Sequence, residues 1–383
     1  MPEIEMPYRV ARIQAWALRV PIRTPVATSF GVMHNRPAVF LRIEDAEGAA
    51  GWGEVFANWP AAGAEHRVNL LIDDVAGLVL GREWSSPTDM FHELSRATHI
   101  RALQCGEPGP FRQVIAGLDI AAWDMTARRG GLPLAKLVSS GARDLVPVYA
   151  SGIHIDAAGA MIAAARAAGF RAFKVKVGFD PGADPGKVIE CSRQLLPQEA
   201  LYADANQAWT REEARRFLKS AAEARLGWIE EPIACDAPDG DWLDLAGLDV
   251  PLAAGENIAG ADGFDHALSL GALRFVQPDV CKWGGVSGNL AVAQDALRRG
   301  FVYCPHFLGG GIGLMASAHL LAAAGGSGLL EVDVNPNPLR DALASSGDFV
   351  RDGNWHLSRE PGLGISGIPA ELRDHVTLTR EAG

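Results

Sequence analysis

The sequence predicts an eight-stranded β/α barrel preceded by a smaller region of alternating strands and helices. Three observations predict it. Short apolar runs that end in polar residues recur through the second half of the chain, and helical patterns with cap signals lie between them. The run-end residues Lys176, Asp204, Glu230, Glu256, Asp279, His306 and Glu331 follow one another at intervals of 23 to 28 residues. That is about the length of one strand, one helix and two loops.

Residues 1 to about 140 begin with the alternating segments ARIQAWALRV, AVFLRIE and AAGWGEV. The last two are joined by Asp45-Ala46-Glu47-Gly48 and read as a β-hairpin, with helical patterns after them. The barrel runs are VPVYASG, RAFKVKV, ALYADAN, GWIEEP, PLAAGE, RFVQPDV, FVYCPHF and GLLEVDV. Bounded by Gly, Pro or Asn, they read as buried parallel strands. Between them, Asp156 to Ala168 is a helix closed by Gly169, Thr210 and Glu213 form a capping box, and Asn289 to Arg299 is closed by Gly300. Gly284 to Gly288 reads as a tight turn with Ser287 as the capping residue. Gly309-Gly310-Gly311-Ile312-Gly313 lacks the GxGxxG spacing of a dinucleotide loop, but its backbone amides could help hold an anionic substrate group.

Strand C-termini of a β/α barrel open onto one face, so the run-end residues are expected to converge there. Asp204, Glu230 and Glu256 are oxygen donors on adjacent strands, a set that suits a hard divalent cation such as Mg2+. Lys176 flanks them on one side and His306 on the other. Like-charge repulsion from Lys174 is expected to lower Lys176 toward ~7 to 8, within reach of a general base. A metal between two opposed bases suits proton abstraction beside a carboxylate through an enediolate.

On these residues the chain resembles the mandelate racemase and muconate lactonizing enzymes of the enolase superfamily, whose lysine or histidine bases and magnesium are a standard example of tuned acid–base chemistry. Lys174-Val-Lys176 is similar to that family's KxK, with Lys176 as the base on one face of the substrate carbon. The resemblance implies Asp204, Glu230 and Glu256 as ligands of one Mg2+, Asn206 as a substrate contact, and Asp279 orienting His306 as the base on the opposite face. It also implies that Glu331 hydrogen-bonds the enediolate oxygen. The Asp279 and His306 pair indicates the mandelate racemase subgroup, and Lys282, three residues past Asp279, is read as structural or at the rim. AGLDIAAWDMTARRGGLPLAKL, 116 to 137, resembles the helical signature before the barrel.

The implied fold is a modified TIM barrel, (β/α)7β, at 141–345, with an α+β capping domain at 1–140 completed by a returning segment at 346–383. Loops at about 22 to 36 and 56 to 64 would close over the mouth, with His34 and Trp59 as substrate-binding candidates. The implied activity is dehydration of an acid sugar to a 2-keto-3-deoxy acid, with racemisation or epimerisation of an α-hydroxy acid as the alternative. A phosphoryl-transfer enzyme would leave the KxK pair and the dyad without a task, and a non-catalytic homologue would leave the bases unused. A homo-oligomer, dimer or octamer, is implied as well.

Composition agrees. A net charge of −11 without a basic block argues against nucleic acid. The five cysteines are scattered and read as reduced, in a cytoplasmic protein. MPEIEMPYRV carries no targeting pattern, and Ile312 to Leu330, broken by His319, Gly325, Gly326 and Ser327, reads as a buried helix and strand start and not as a membrane span.

Overall fold

A computed structural model describes residues 6–383. Residues 1–5, the head of the segment read for a targeting pattern, lie outside the described residues.

The N-terminal unit is built on β1 (Tyr8–Thr28), β2 (Gly31–Asp45) and β3 (Ala50–Val55), an antiparallel meander with the hairpin turn at Asp45 to Gly48. Asp45 Oδ1 accepts the amides of Glu47 and Ala49 and fixes that turn. The short β4 (Glu83–Trp84) pairs with the start of β1. The helix Pro108–Arg129 lies against β3, where a Cβ at Gly53 would run into the carbonyl of Gly117, so the two glycines of Gly51-Trp52-Gly53 permit the close approach.

The barrel follows as eight parallel strands: β5 (Leu145–His154), β6 (Ala172–Lys176), β7 (Ala200–Asp204), β8 (Ile229–Glu230), β9 (Leu252–Ala254), β10 (Phe275–Val276), β11 (Val302–Tyr303) and β12 (Leu330–Asp333). Neighbours pair in sequence order from β5 to β11, and β12 pairs back onto β5. The antiparallel β13 (Val350–Arg351) and β14 (Asn354–His356) extend β5, and β15 (Val376–Ala382) returns to pair with β1. The apolar stretch from Ile312 forms the buried helix Gly311–Ala324 and the start of β12. No helix among the described residues is long and apolar enough to cross a membrane.

Three local readings need correction. The segment 22–36 is a paired arm and not a loop, because β1 and β2 run on with Val26 opposite Met33 and Thr28 opposite Gly31, which satisfies their backbone groups. The helix expected from Asn289 begins at Gly285, so Ser287 lies inside it and caps nothing; its hydroxyl donates to Asp119. The amides at the start of the helix Gly311–Ala324 are already taken, since Glu54 accepts from Gly310 and Gly313.

Candidate active site

Parallel register sets the first half of the site. Lys176 pairs with Asp204 and Asp204 with Glu230, so three consecutive strands present these side chains at one level. Glu256 lies two residues past β9, and Asp279 and His306 meet in an isolated parallel bridge just beyond β10 and β11. Glu331 is the second residue of β12. All seven stand at the C-terminal mouth of the barrel.

Lys174 is fully buried and binds the ring together from below. Its Nζ donates to both oxygens of Glu230 at 2.8 Å and lies 2.7 Å from Glu331 and 3.5 Å from Asp204. Burial alone would lower this ammonium, but Glu230 and Glu331 outweigh it and hold Lys174 well above the ordinary lysine range. Lys176 departs from the sequence expectation. Burial and Lys174 both push it down, but its 2.5 Å contact with Asp204 prevails and its pKa is raised. A neutral Lys176 therefore requires Asp204 to find another positive partner.

The opposite wall is a hydrogen-bonded pair. His306 Nδ1 lies 2.8 Å from Asp279 Oδ2, while the other oxygen of Asp279 accepts the amides of Cys281 and Lys282 at 2.8 and 3.0 Å. An aspartate held that way fixes the ring and leaves Nε2 facing the site. There Nε2 is 3.1 Å from Glu256 and 3.9 Å from Glu331. Burial would lower His306, but these carboxylates and the Asp279 hydrogen bond raise it to about 9. Glu256 contributes most to that rise, so the protonated ring is favoured while Glu256 faces His306 and not a cation.

The three expected metal ligands face ammonium groups: Asp204 with Lys176, Glu230 with Lys174, and Glu256 with Lys282 at 3.1 Å. Turned to those partners, they do not enclose an ion, and no acidic or imidazole cluster among the described residues does so. Their chemistry still fits one. Glu230 is pushed up to about 8 by burial and by the charge of Asp204, so the ring carries more buried carboxylate than its cations neutralise.

Several members of this ring were not found from sequence. Gln277 donates to Glu230 at 2.7 Å, and Ser151 donates to Glu331 at 2.5 Å. Lys282 also bonds Asn257, whose amide holds both oxygens of the buried Glu231. Lys282 is therefore part of the ring wall and not only a rim residue. A signal existed for Gln277, two residues before Asp279 on one strand face, and for Lys282, one turn after it. Ser151 and Asn257 carry no distinguishing pattern.

Asn206 lies beside Asp204, its amide donating to Oδ1 at 2.7 Å. The tip of the β1–β2 arm reaches it, because Ser29 Oγ donates to the Asn206 carbonyl at 2.7 Å. Trp59 packs edge-on against Phe30 at that tip, with ring centroids 5.9 Å apart. His34 is exposed on β2 and, among the described residues, makes no hydrogen bond or ion pair. Trp59 and Asn206 are thus brought to the arm and mouth, and His34 is not tied to them.

The profile described as Mandelate racemase / muconate lactonizing enzyme, N-terminal domain, matches residues 12–139, and that described as Enolase C-terminal domain-like matches 157–369. The chain is 28% identical over 373 residues to D-galactarolactone cycloisomerase of Agrobacterium fabrum, covering 93% of this chain and 96% of that one. It is 34% identical over 284 residues to L-talarate/galactarate dehydratase of Salmonella typhimurium, covering 73% and 69%. A mandelate racemase/muconate lactonizing enzyme structure from Bordetella bronchiseptica superposes with a TM-score of 0.91 at 44% identity, covering 97% and 100%. L-talarate dehydratase from Polaromonas, solved with Mg and L-glucarate, superposes with a TM-score of 0.80 at 25% identity, covering 99% of each chain.

Proposed function

The chain belongs to the mandelate racemase and muconate lactonizing enzyme family, and on that premise we propose that it dehydrates an acid sugar to a 2-keto-3-deoxy acid. The observation that carries this reading is the placement of Lys176 and the Asp279-bound His306 on opposite sides of one ring of carboxylates. Similarity to a talarate/galactarate dehydratase supports the substrate class.

Asp204, Glu230 and Glu256 would hold the Mg2+ that relatives carry. Such an ion would supply positive charge against the enediolate oxygens. Depending on the configuration of the substrate, neutral Lys176 Nζ or neutral His306 Nε2 takes the α-proton as the C–H bond breaks. On the face that Lys176 serves, His306 as imidazolium, its ring fixed by Asp279, protonates the β-hydroxyl through Nε2–H as that C–O bond breaks, and water leaves. The enol so formed tautomerises to the keto acid. Glu331 accepts from Ser151 and the amide of Phe307, and against its burial Lys174 and His306 lower its pKa, so it would have to take up a proton before donating to an enediolate oxygen as the family resemblance implies.

Isomerisation is the second reading, favoured by the same opposed bases and by similarity to a cycloisomerase. There the opposite base returns a proton and no water is lost. The test is a panel of aldonic, aldaric and α-hydroxy acids with magnesium in deuterium oxide. A 2-keto-3-deoxy product supports dehydration, and α-deuterium with inversion and no keto product supports isomerisation. Turnover of phosphate esters alone would overturn both.

A further inference from the structure

Two barrel helices begin directly after the loops that carry the dyad: Gly285–Arg298 after Asp279, and Gly311–Ala324 after His306. Neither has a capping side chain of its own, because glycine occupies both N-cap positions, Gly284 and Gly310. A helix start leaves amide donors without partners, and its partial positive charge favours an anion. In both helices the acceptor is a buried carboxyl group from the N-terminal unit.

Glu54, at the end of β3, accepts from Gly310 N at 2.5 Å and Gly313 N at 2.8 Å. Asp119, on the helix Pro108–Arg129, accepts from Ser287 N at 2.9 Å and Ser287 Oγ at 2.6 Å. Both are essentially inaccessible to solvent. The chain after Glu54 continues the contact, since Phe56 N donates to Cys281 O at 3.4 Å and Asn58 Nδ2 donates to Leu308 O at 2.7 Å. The glycine clusters make room for this: a Cβ at Gly309 would lie 2.7 Å from Glu54 Oε1, and one at Gly285 would collide with Asp119.

We propose that Glu54 and Asp119 are positioning residues that fix the loops of Asp279 and His306 relative to each other, so that the N-terminal domain sets the geometry of one base of the pair. Lys176 has no such tether, since its strand is held by its neighbours in the sheet. The two bases are therefore unequal: the histidine side depends on the domain contact and the lysine side does not. The inference rests on the proposed roles of Asp279 and His306.

The test uses full-length, magnesium-loaded protein and the isosteric changes Glu54→Gln and Asp119→Asn. Ser287→Ala removes the hydroxyl that donates to Asp119 and accepts from Trp123 Nε1 but keeps the amide bond to Asp119, and is a milder form of the second. Asp124→Asn is the control, because Asp124 is a buried carboxylate on the same helix that binds the amides of Trp52 and Leu363, away from the dyad. The readouts are the downfield proton signal of the His306 Nδ1–H···Asp279 bond, assigned by its loss in His306→Asn, and backbone hydrogen exchange.

In Glu54→Gln the signal should broaden or vanish, and exchange of 304–314 should rise about tenfold, as expected for loss of a charge-assisted bond. In Asp119→Asn, and more weakly in Ser287→Ala, the same holds for 279–290. Exchange of 172–178 should stay unchanged. Wild-type signal and exchange in both carboxylate variants, or an equal response in Asp124→Asn, would overturn the inference. Normal α-proton exchange on both substrate configurations in His306→Asn would instead overturn the dyad reading beneath it, so the two failures are distinct.

Discussion

Replacing Lys174 with methionine tests whether this buried ammonium holds the carboxylate ring together. Its side chain is fully buried and lies within 3.5 Å of Asp204, Glu230 and Glu331. Methionine nearly matches its length without the charge, so the three buried carboxyl groups would be left with Lys176 beside Asp204 and His306 3.9 Å from Glu331. Removing one partner of a buried ion pair costs about 3–5 kcal/mol, most of it for the charge left behind. An exposed pair is worth about 0–1 kcal/mol, so Lys136→Met, which breaks the solvent-exposed bridge to Asp144, is the matched control. Urea unfolding at pH 7.5 without magnesium should show the large loss for Lys174→Met and almost none for Lys136→Met. Saturating magnesium should then restore more stability to Lys174→Met than it adds to the wild type, because a cation is what the ring lacks. Equal losses in the two variants would refute the reasoning.

Two further outcomes follow from the same structure. Burial lowers the pKa of His319 from 6.5 to about 4, and its Nδ1 accepts the amide of Ala135, which requires the neutral ring. A depressed folded-state pKa contributes stability that is complete above pH 6.5 and is lost as pH falls toward 4, about 3 kcal/mol in all. His319→Asn keeps an acceptor and does not titrate, so its unfolding free energy should vary less over that window; an unchanged pH dependence would count against it. Gly313→Ala would place a methyl in collision with the Phe307 ring and 2.6 Å from Cys281 Sγ. It should cost about 1–3 kcal/mol and reduce turnover, since Phe307 adjoins His306, and a wild-type Tm would show that the core there yields freely.

The barrel was legible because each strand combines a continuous apolar run with a polar end, and because the interval between them is set by covalent chain length. The metal-ligand candidates and both bases stood on that pattern. The arm formed by β1 and β2 was missed as strand because Pro21, Arg23, Thr24 and Pro25 interrupt the alternation, and the ladder shifts register between Pro21 and Val26. Glu54 was illegible for another reason. β3 is buried on both faces, between the helix Pro108–Arg129 and the barrel, so an acid in it looks like an ordinary hairpin residue until its donors are seen across the domain contact. The hold of Asp204 on Lys176 was not legible because spacing shows Lys174 nearby but does not show Asp204 at 2.5 Å.

The central claim is that Lys176 and His306 act on opposite faces of one substrate carbon. The most direct measurement is α-proton exchange in deuterium oxide, followed by NMR, on both configurations of an acid the wild type accepts. It should be run with magnesium-loaded Lys176→Ala and His306→Asn. Each variant should lose exchange on one configuration and retain it on the other, and the two losses should be complementary. Exchange retained on both configurations in both variants would contradict the account.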